Sequence, residues 1–429
     1  MEEKNSEKKE RKMRDSGIPW IGEVPEGWGI HPLYSYFAER KNKNSMLQEQ
    51  NLLSLSYGKI IRKDINTNGG LLPANFTTYN IVQPNDIVIR PTDLQNDKKS
   101  LRTGLVTEKG IITSAYISLQ PIANIYIKYF HYLLHSYDIN KVFYNMGNGV
   151  RQGLNYSEFS KLMLFCPDKE EQRRIANFLD FKCSEIDTLI ENLRARMESV
   201  KEYKKAVITE TVTKGLDKDA KMKDSGVEWI GEIPEGWKIV RFKHIASIKS
   251  NLVQPDKYMK YPQIAPDNIE KDTGRLLSHQ TVEESGIISG NHLFYRGQIL
   301  YSKIRPNLNK LTVAPFDGLC SADMYPIESK LPTLFMVYSM LSTYFVSQVS
   351  LIIQDRVKMP KINQEELGEI KVAVPSQQEM LTIADYLDSK CSEIDTLLQN
   401  YEYQIATLEE YKKSLIYEYV TGKKEVPEA

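Results

Sequence analysis

One heptapeptide constrains this chain more than any other stretch. Cys183-Ser184-Glu185-Ile186-Asp187-Thr188-Leu189 returns unchanged as Cys391-Ser392-Glu393-Ile394-Asp395-Thr396-Leu397. Each copy lies in a long stretch with an apolar residue every three and four positions. The first seam reads Leu179, Cys183, Ile186, Ile190, Leu193, Met197, Val200, Lys204, Val207. The second reads Leu387, Cys391, Ile394, Leu398, Tyr401, Ile405, Leu408, Lys412, Leu415. A 3.5-residue period held over about four heptads is a coiled-coil seam. Two rods with matching seams most simply pack on each other. No short turn can join them, because a whole globular segment stands between, and an antiparallel pairing that relates the halves by a pseudo-twofold axis is expected.

The repetition reaches beyond the rods. Met13-Arg-Asp-Ser-Gly-Ile-Pro-Trp20-Ile-Gly-Glu-Val-Pro-Glu-Gly-Trp28 recurs as Met222-Lys-Asp-Ser-Gly-Val-Glu-Trp229-Ile-Gly-Glu-Ile-Pro-Glu-Gly-Trp237, with 12 of 16 positions identical. The leaders repeat at an offset of 209 residues and the rods at 208, so the whole chain is a tandem duplication. Gly and Pro punctuate each leader, which predicts an ordered, turn-rich clasp anchored by its Trp residues. The boundaries that follow are a charged disordered tail over 1–12, leader and module over 13–168, a helix over 169–215 and a linker over 216–221. The second half repeats them as leader and module over 222–376, a helix over 377–422 and a tail over 423–429.

Lys+Arg and Asp+Glu balance at 56 each, so the distribution of charge says more than its sum. From His31 to Cys166 there are 15 Lys/Arg against 9 Asp/Glu, and from Lys238 to Val374 there are 17 against 13. Positive charge therefore collects in the modules, where a polyanion would be met. The four cysteines form no CxxC pair, which points to a reducing cytoplasm without a disulfide framework or zinc site. No window is long and apolar enough to span a membrane. A cytoplasmic location is expected.

The modules diverge, yet a common scaffold shows through. A short strand beside a polar turn is expected within Asn85–Pro91 and within Gly297–Asn307. Strands over Leu105–Thr107 with Ile111–Thr113, and over Leu311–Ala314, follow. Helices are expected over Ile125–Leu134 and Thr333–Gln348. Each module closes on a matched stretch, Gly149–Phe159 against Arg356–Leu367, and a strand, Leu162–Cys166 or Ile370–Val374. The rods then open with capping-box spacing, Asp168 with Glu171 and Ser376 with Glu379, and end near Gly215 and Gly422.

The chain carries few residue patterns suited to catalysis. There is no P-loop, no Gly-rich turn placed for a nucleoside and no Asn/Asp-Pro-Pro-Tyr tetrapeptide. His131 and His135 stand four apart without the Glu that an HExxH site needs. What remains are basic turns at equivalent places in both halves. Arg and Lys serve phosphates and guanine, and Asn and Gln suit adenine. The candidate DNA contacts are Arg90, Thr92, Asn96, Lys98, Lys99, Arg102, Arg151 and Gln152 in the first module. In the second they are Ser302, Lys303, Arg305, Asn307, Asn309, Lys310, Arg356 and Lys358.

The leaders with Trp-Ile-Gly-Glu-x-Pro-Glu-Gly-Trp, the phrase Ile299-Leu-Tyr-Ser-Lys-Ile-Arg-Pro306 and the Glu171–Asp180 rod start resemble the specificity subunits of Type I restriction–modification systems over nearly the full length. The second rod departs from the pattern with Met380-Leu-Thr where the first has Gln172-Arg-Arg. The resemblance implies an α+β (mixed α/β) chain in which two tandem-duplicated recognition domains are separated by two long helices forming an antiparallel coiled coil. Each domain would read one half of a bipartite double-stranded DNA target. The paired helices would set the spacing and dock two methyltransferase subunits, with motor–nuclease restriction subunits able to join. No catalysis and no cofactor are expected on this chain; S-adenosylmethionine, ATP and Mg2+ would sit on the partners. Two other readings stand beside it. A coiled-coil adaptor with protein-binding modules would neither bind DNA sequence-specifically nor co-purify with a methyltransferase. A self-contained nuclease or methyltransferase would need motifs that this sequence lacks.

Overall fold

The computed structural model describes residues 11–18, 20–65, 75–92, 94, 101–144, 146 and 153–427. The chain divides into two compact units, Met1–Asn192 with Gln404–Ala429, and Leu193–Tyr403. The rods are helices over Lys169–Lys214 and Gln377–Val420. Each compact unit therefore holds one leader, one module, the first part of the rod that follows it and the last part of the other rod. The sequence boundaries made each rod a segment of its own; packing instead divides each rod between the units.

In the first unit the leader is a β-hairpin, with Met13–Asp15 paired antiparallel to Glu23–Pro25. Trp28 is buried, and its indole Nε1 donates to Glu171 Oε2 at 3.0 Å. Arg11 donates to the other Glu171 oxygen at 2.6 Å and lies 5.2 Å from the Trp28 ring centroid. Only half of the expected capping box forms as a result. Asp168 Oδ1 accepts from the Glu171 backbone N–H at 2.8 Å, while the Glu171 carboxylate holds the leader. Arg11 and Lys12, expected in the disordered tail, belong to this clasp; the Lys12 carbonyl accepts from Glu26 N–H at 3.0 Å. Residues 1–10 of that tail lie outside the described residues.

The first module packs on the rods through a helix over Ile127–Ile139, whose buried face carries Tyr129, Phe130, Leu133, Leu134 and Tyr137. Tyr132 Oη donates to Asp180 Oδ1 at 2.8 Å and Tyr129 Oη to the Val420 carbonyl at 3.0 Å. Within this unit the rods run antiparallel. Phe178 stacks with Tyr419, ring centroids 4.5 Å apart, and further along Lys412 Nζ donates to both Asp187 oxygens at 2.6 and 2.7 Å.

The second unit uses the same devices. Met222–Asp224 pairs antiparallel with Glu232–Pro234, and Trp237 Nε1 donates to Glu379 Oε1 at 3.1 Å. Ser376 Oγ accepts from Glu379 N–H at 3.4 Å, again half a capping box. Tyr338 Oη donates to Asp388 Oδ1 at 3.3 Å, the counterpart of Tyr132 with Asp180. Lys204 Nζ donates to both Asp395 oxygens at 2.7 Å. The helix expected over Thr333–Gln348 is two, Thr333–Leu341 and Thr343–Ile353, bent by 59°. The break falls at Ser342, whose extended backbone (φ −67°, ψ 153°) ends one helix and opens the next. Together this pair is apolar, but most of its large side chains are buried in the module core, and among the described residues no single helix is long and apolar enough to cross a membrane.

Beneath their divergent sequences the modules share one topology. Each has an antiparallel four-stranded sheet. Its order is Phe37–Glu39, Ile117–Pro121, Ile87–Ile89, Thr103–Leu105 in the first and Ala246–Ile248, Met324–Ser329, Ile299–Ser302, Leu311–Val313 in the second. Each has a second sheet with one parallel pairing, Leu52–Ser56 beside Gly110–Ile112 and Pro262–Ile264 beside Gly318–Cys320. The strand after each leader pairs with the strand before each rod, Gly29–Pro32 with Met163–Cys166 and Lys238–Arg241 with Lys371–Val374. Each module is thereby closed at its neck.

Each rod ends on a glycine with positive φ, Gly215 at 76° and Gly422 at 72°. A Cβ on Gly422 would meet Pro25 at 2.5 Å and Trp28 at 3.0 Å, and one on Gly215 would meet Trp237 and Glu379 at 3.2 Å. Conformation and space therefore both require glycine. The end of the first rod meets the leader that follows it. The end of the second returns to the leader at the start of the chain.

Two predictions follow from this packing. Lys204 is the more buried seam lysine, with 10% side-chain exposure against 27% for Lys412. A double-mutant cycle read by unfolding should give a larger coupling for Lys204–Asp395, ~1–3 kcal/mol, than for Lys412–Asp187, below ~1 kcal/mol. Equal couplings would remove burial as the reason.

The second concerns His131 and His135, whose rings lie 6.2 Å apart on the docking helix. Burial lowers His131 from 6.5 to about 4 and His135 to about 3. Both are neutral in the folded unit, while the unfolded chain takes up their protons near 6.5. Their contribution is therefore present above pH 6.5 and is lost as pH falls toward 4 and below. Matching Tyr132 to Tyr338 places Val337 and Leu341 at these positions in the second unit. The variant H131V/H135L should flatten the fall in unfolding midpoint between pH 6.5 and 4, measured by denaturant titration.

Candidate nucleic-acid interface

The second unit brings two of the predicted segments together. After the strand Ile299–Ser302 the chain turns through Lys303–Lys310, and this turn is bound to the loop before Asn363. Arg305 N–H donates to the Pro360 carbonyl at 2.7 Å, Ile362 N–H donates to the Lys303 carbonyl at 3.0 Å, and Ile304 bridges to Lys361. Arg305 and Asn309 both take left-handed backbone, φ 43°. That conformation turns the Arg305 side chain outward while Pro306 is buried beside it.

The candidates in these segments divide. Arg305, Asn307 and Lys358 are exposed. Lys303 is half-buried, its Nζ 5.2 Å from the Tyr325 ring centroid. Lys310 Nζ donates to the Pro266 carbonyl at 2.8 Å and lies 3.5 Å from Asp267. Ser302 and Asn309 are framework residues. Both are buried; Ser302 Oγ donates to the Ile304 carbonyl at 3.0 Å, and Asn309 Nδ2 to the Met340 carbonyl at 3.1 Å. Arg356 is spent within the fold. Its guanidinium pairs with Glu366 and donates to the Lys361 carbonyl, closing the loop 356–361; the pair raises Arg356 and lowers Glu366.

In the first unit Asn96, Lys98, Lys99, Arg151 and Gln152 lie outside the described residues. Arg90 and Thr92 are half-buried, and Arg90 N–H donates to the Arg102 carbonyl at 2.9 Å. Arg102 needs correction. It is fully buried, its Nε donates to Tyr144 Oη at 2.9 Å, its Nη1 donates to the Thr92 carbonyl, and it lies over the Tyr144 ring. A cation so enclosed holds the turn together instead of facing a ligand.

Sequence reasoning missed a hairpin in this unit. Leu52–Ser56 and Lys59–Lys63 pair antiparallel around Tyr57 and Gly58, both with positive φ (46° and 78°). Lys59, Arg62 and Lys63 are exposed on the outer strand, with Arg62 paired to Glu108, and Tyr57 is 83% exposed at the tip. The signal was present: two β-rich runs separated by a two-residue turn ending in glycine. It also missed matched apolar residues on the solvent side of the rods. The first unit exposes Leu189 and Tyr411, and the second exposes their counterparts Leu397 and Tyr203. Among the described residues no His/Cys/Asp/Glu group could hold a metal ion.

Comparison with known proteins places these features. A family model described as the Type I restriction modification DNA specificity domain matches residues 37–199. The chain is similar to the Type I restriction enzyme EcoDI specificity subunit of Escherichia coli, 31% identical over 71% of this chain and 72% of that one. It is also similar to the MjaVIII specificity subunit of Methanocaldococcus jannaschii, 26% identical over 80% of each. A chain from a solved structure described as explaining complex assembly and conformational transition of the type I R-M system shares the fold. It has a TM-score of 0.68 at 13% identity, covering 94% of this chain and 99% of that one.

Two arginines should now separate experimentally. Arg102→Ala empties a buried site and removes the donor held by the Thr92 carbonyl and the ring contact with Tyr144, so it should cost ~3 kcal/mol of stability. Arg305→Ala should leave the unfolding midpoint unchanged and weaken binding to duplex DNA, lowering the salt slope by about one. If the two behave alike in both assays, the division of buried from exposed cations fails.

Proposed function

The chain belongs to the family of Type I restriction–modification specificity subunits, and from that premise we propose that its two modules each read one half of a bipartite double-stranded DNA target. The observation that carries this reading is the pairing of one framework with two surfaces. Both modules have the same strand order in the antiparallel four-stranded sheet and the same Tyr-to-Asp docking on the rods. The exposed cations described on them nonetheless lie on different elements. The first presents the Tyr57 hairpin with Lys59 and Lys63, and the second presents Arg305, Asn307 and Lys358. A scaffold kept constant beneath divergent basic turns suits two readers of different sequence.

The rods supply what the modules lack. In this reading they set the spacing of the half-sites. Their matched exposed pairs, Leu189 with Tyr411 and Leu397 with Tyr203, would each dock a methyltransferase subunit, giving two per chain. The chain would act without catalysis of its own. S-adenosylmethionine, ATP and Mg2+ would be held by methyltransferase and motor–nuclease partners in the cytoplasm. The adaptor reading is not favoured, because the relatives at this level of identity are specificity subunits.

Exchanging the module over His31–Cys166 for that of another family member should change one half of the methylated motif and leave the other intact. Sequencing of the methylated genome reads this directly. A change in both halves would end the idea of independent readers, and loss of all methylation by a well-folded chimaera would end the modules' role in reading.

A further inference from the structure

The loop 356–361 of the second unit has a feature that the reading above does not use. Val357 is 94% exposed and Met359 is 54% exposed, with Lys358 between them and Pro360 after them. Apolar side chains at a loop tip are usually relieved by the loop's freedom to fold over. Here that freedom is removed. Arg356 closes the loop by donating to the Lys361 carbonyl while paired to Glu366. The Pro360 carbonyl is held by Arg305 N–H at 2.7 Å, and Lys361 bridges to Ile304 and pairs with Asp323 at 3.0 Å. Met359 itself is fixed in left-handed backbone, φ 44°. Such backbone is costly for a side chain of this size and persists where neighbouring structure enforces it.

The result is a rigid apolar point flanked by exposed cations, Lys358 on the loop and Arg305 beside it. A flat protein surface would not need the cations, and a purely electrostatic contact would not need two apolar side chains. DNA satisfies both: phosphates take the cations, and the stacked bases offer an apolar interior once a step is opened. The matched stretch of the first module keeps an apolar residue before a cation, Val150 and Arg151, but has Gln152 where Met359 stands.

We propose that Val357 and Met359 form a wedge that enters a base step of the half-site read by the second module, with Arg305 and Lys358 on the flanking phosphates. This rests on the DNA-reading role proposed above and adds how the target is deformed. Unstacking costs differ among steps, and flexible pyrimidine–purine steps open most easily. The wedge therefore selects sequence at a position where no side chain need hydrogen-bond to a base edge.

The test uses the full chain co-expressed with its methyltransferase and duplexes carrying the target defined by its methylated genome. 2-Aminopurine is placed singly along the second half-site, away from the methylated base, which a methyltransferase unstacks on its own. Wild type should raise the fluorescence at one step. V357S/M359S should abolish that signal and cut discrimination at that step about tenfold, while the unfolding midpoint and salt slope stay unchanged. Arg305→Ala should lower the salt slope instead. The wedge is overturned if no step brightens with wild type, or if V357S/M359S keeps the signal. It is also overturned if the variant's only loss is matched by replacing thymine with deoxyuridine, because the side chains then read a groove methyl without insertion. If wild type fails to distinguish the target from a scrambled duplex, the DNA-reading role falls, and the wedge with it.

Discussion

A lysine on an apolar seam must find a carboxylate within reach or push the seam apart. Lys204 and Lys412 occupy such positions, and each finds the aspartate of the heptapeptide on the opposing rod, Asp395 and Asp187. The pairing explains why one short phrase stands unchanged in both halves. Cys and Ile of the phrase fill the seam, its Asp receives the other rod's lysine, and its Leu faces solvent. Of the two, Lys204–Asp395 has more of its lysine buried, so a shift of register by one heptad would leave a charge in the seam without a partner. Polar groups of this kind cost stability and return a unique alignment.

The remaining joints follow from that alignment. Once the rods run antiparallel within a unit, the end of one lies by the start of the other, where the leader waits. Trp28 and Trp237 then spend their indole N–H on Glu171 and Glu379. Gly215 and Gly422 let the arriving rod approach those tryptophans. Tyr132 and Tyr338 fasten each module to Asp180 and Asp388, one heptad before the heptapeptide's own aspartate. All of these partners are repeated between the halves. Among the residues that differ are those on the far turns, where the fold asks only for a closed loop and leaves the side chain open to selection by a ligand.

The halves also differ in the helix that meets the rods. The first has His131 and His135 there, and the second has the fully apolar Val337 and Leu341. The histidines carry buried nitrogens, and among the described residues His131 Nε2 has no hydrogen-bond partner. The docking of the first module on the rods is therefore the joint that answers to acid, where the second has only apolar side chains.

The sequence alone determined the duplication, the rods with their seams, the leader as a clasp, and the family, because each is written in local spacing or in repeated identity. Helix periodicity survives any tertiary context when it runs for more than forty residues, as it does over Lys169–Lys214 and Gln377–Val420. Strands of three to five residues, such as Phe37–Glu39 and Asn80–Val82, carry no such signal; their order and the parallel pairing of Leu52 with Ile111 exist only through partners distant in the chain. Charge was legible and its use was not. Arg102 and Arg305 look alike in sequence, each in a basic turn after a strand. Tertiary structure encloses the first beneath Tyr144 and turns the second outward on left-handed backbone, because burial and backbone conformation are properties of the packed chain and not of residue type.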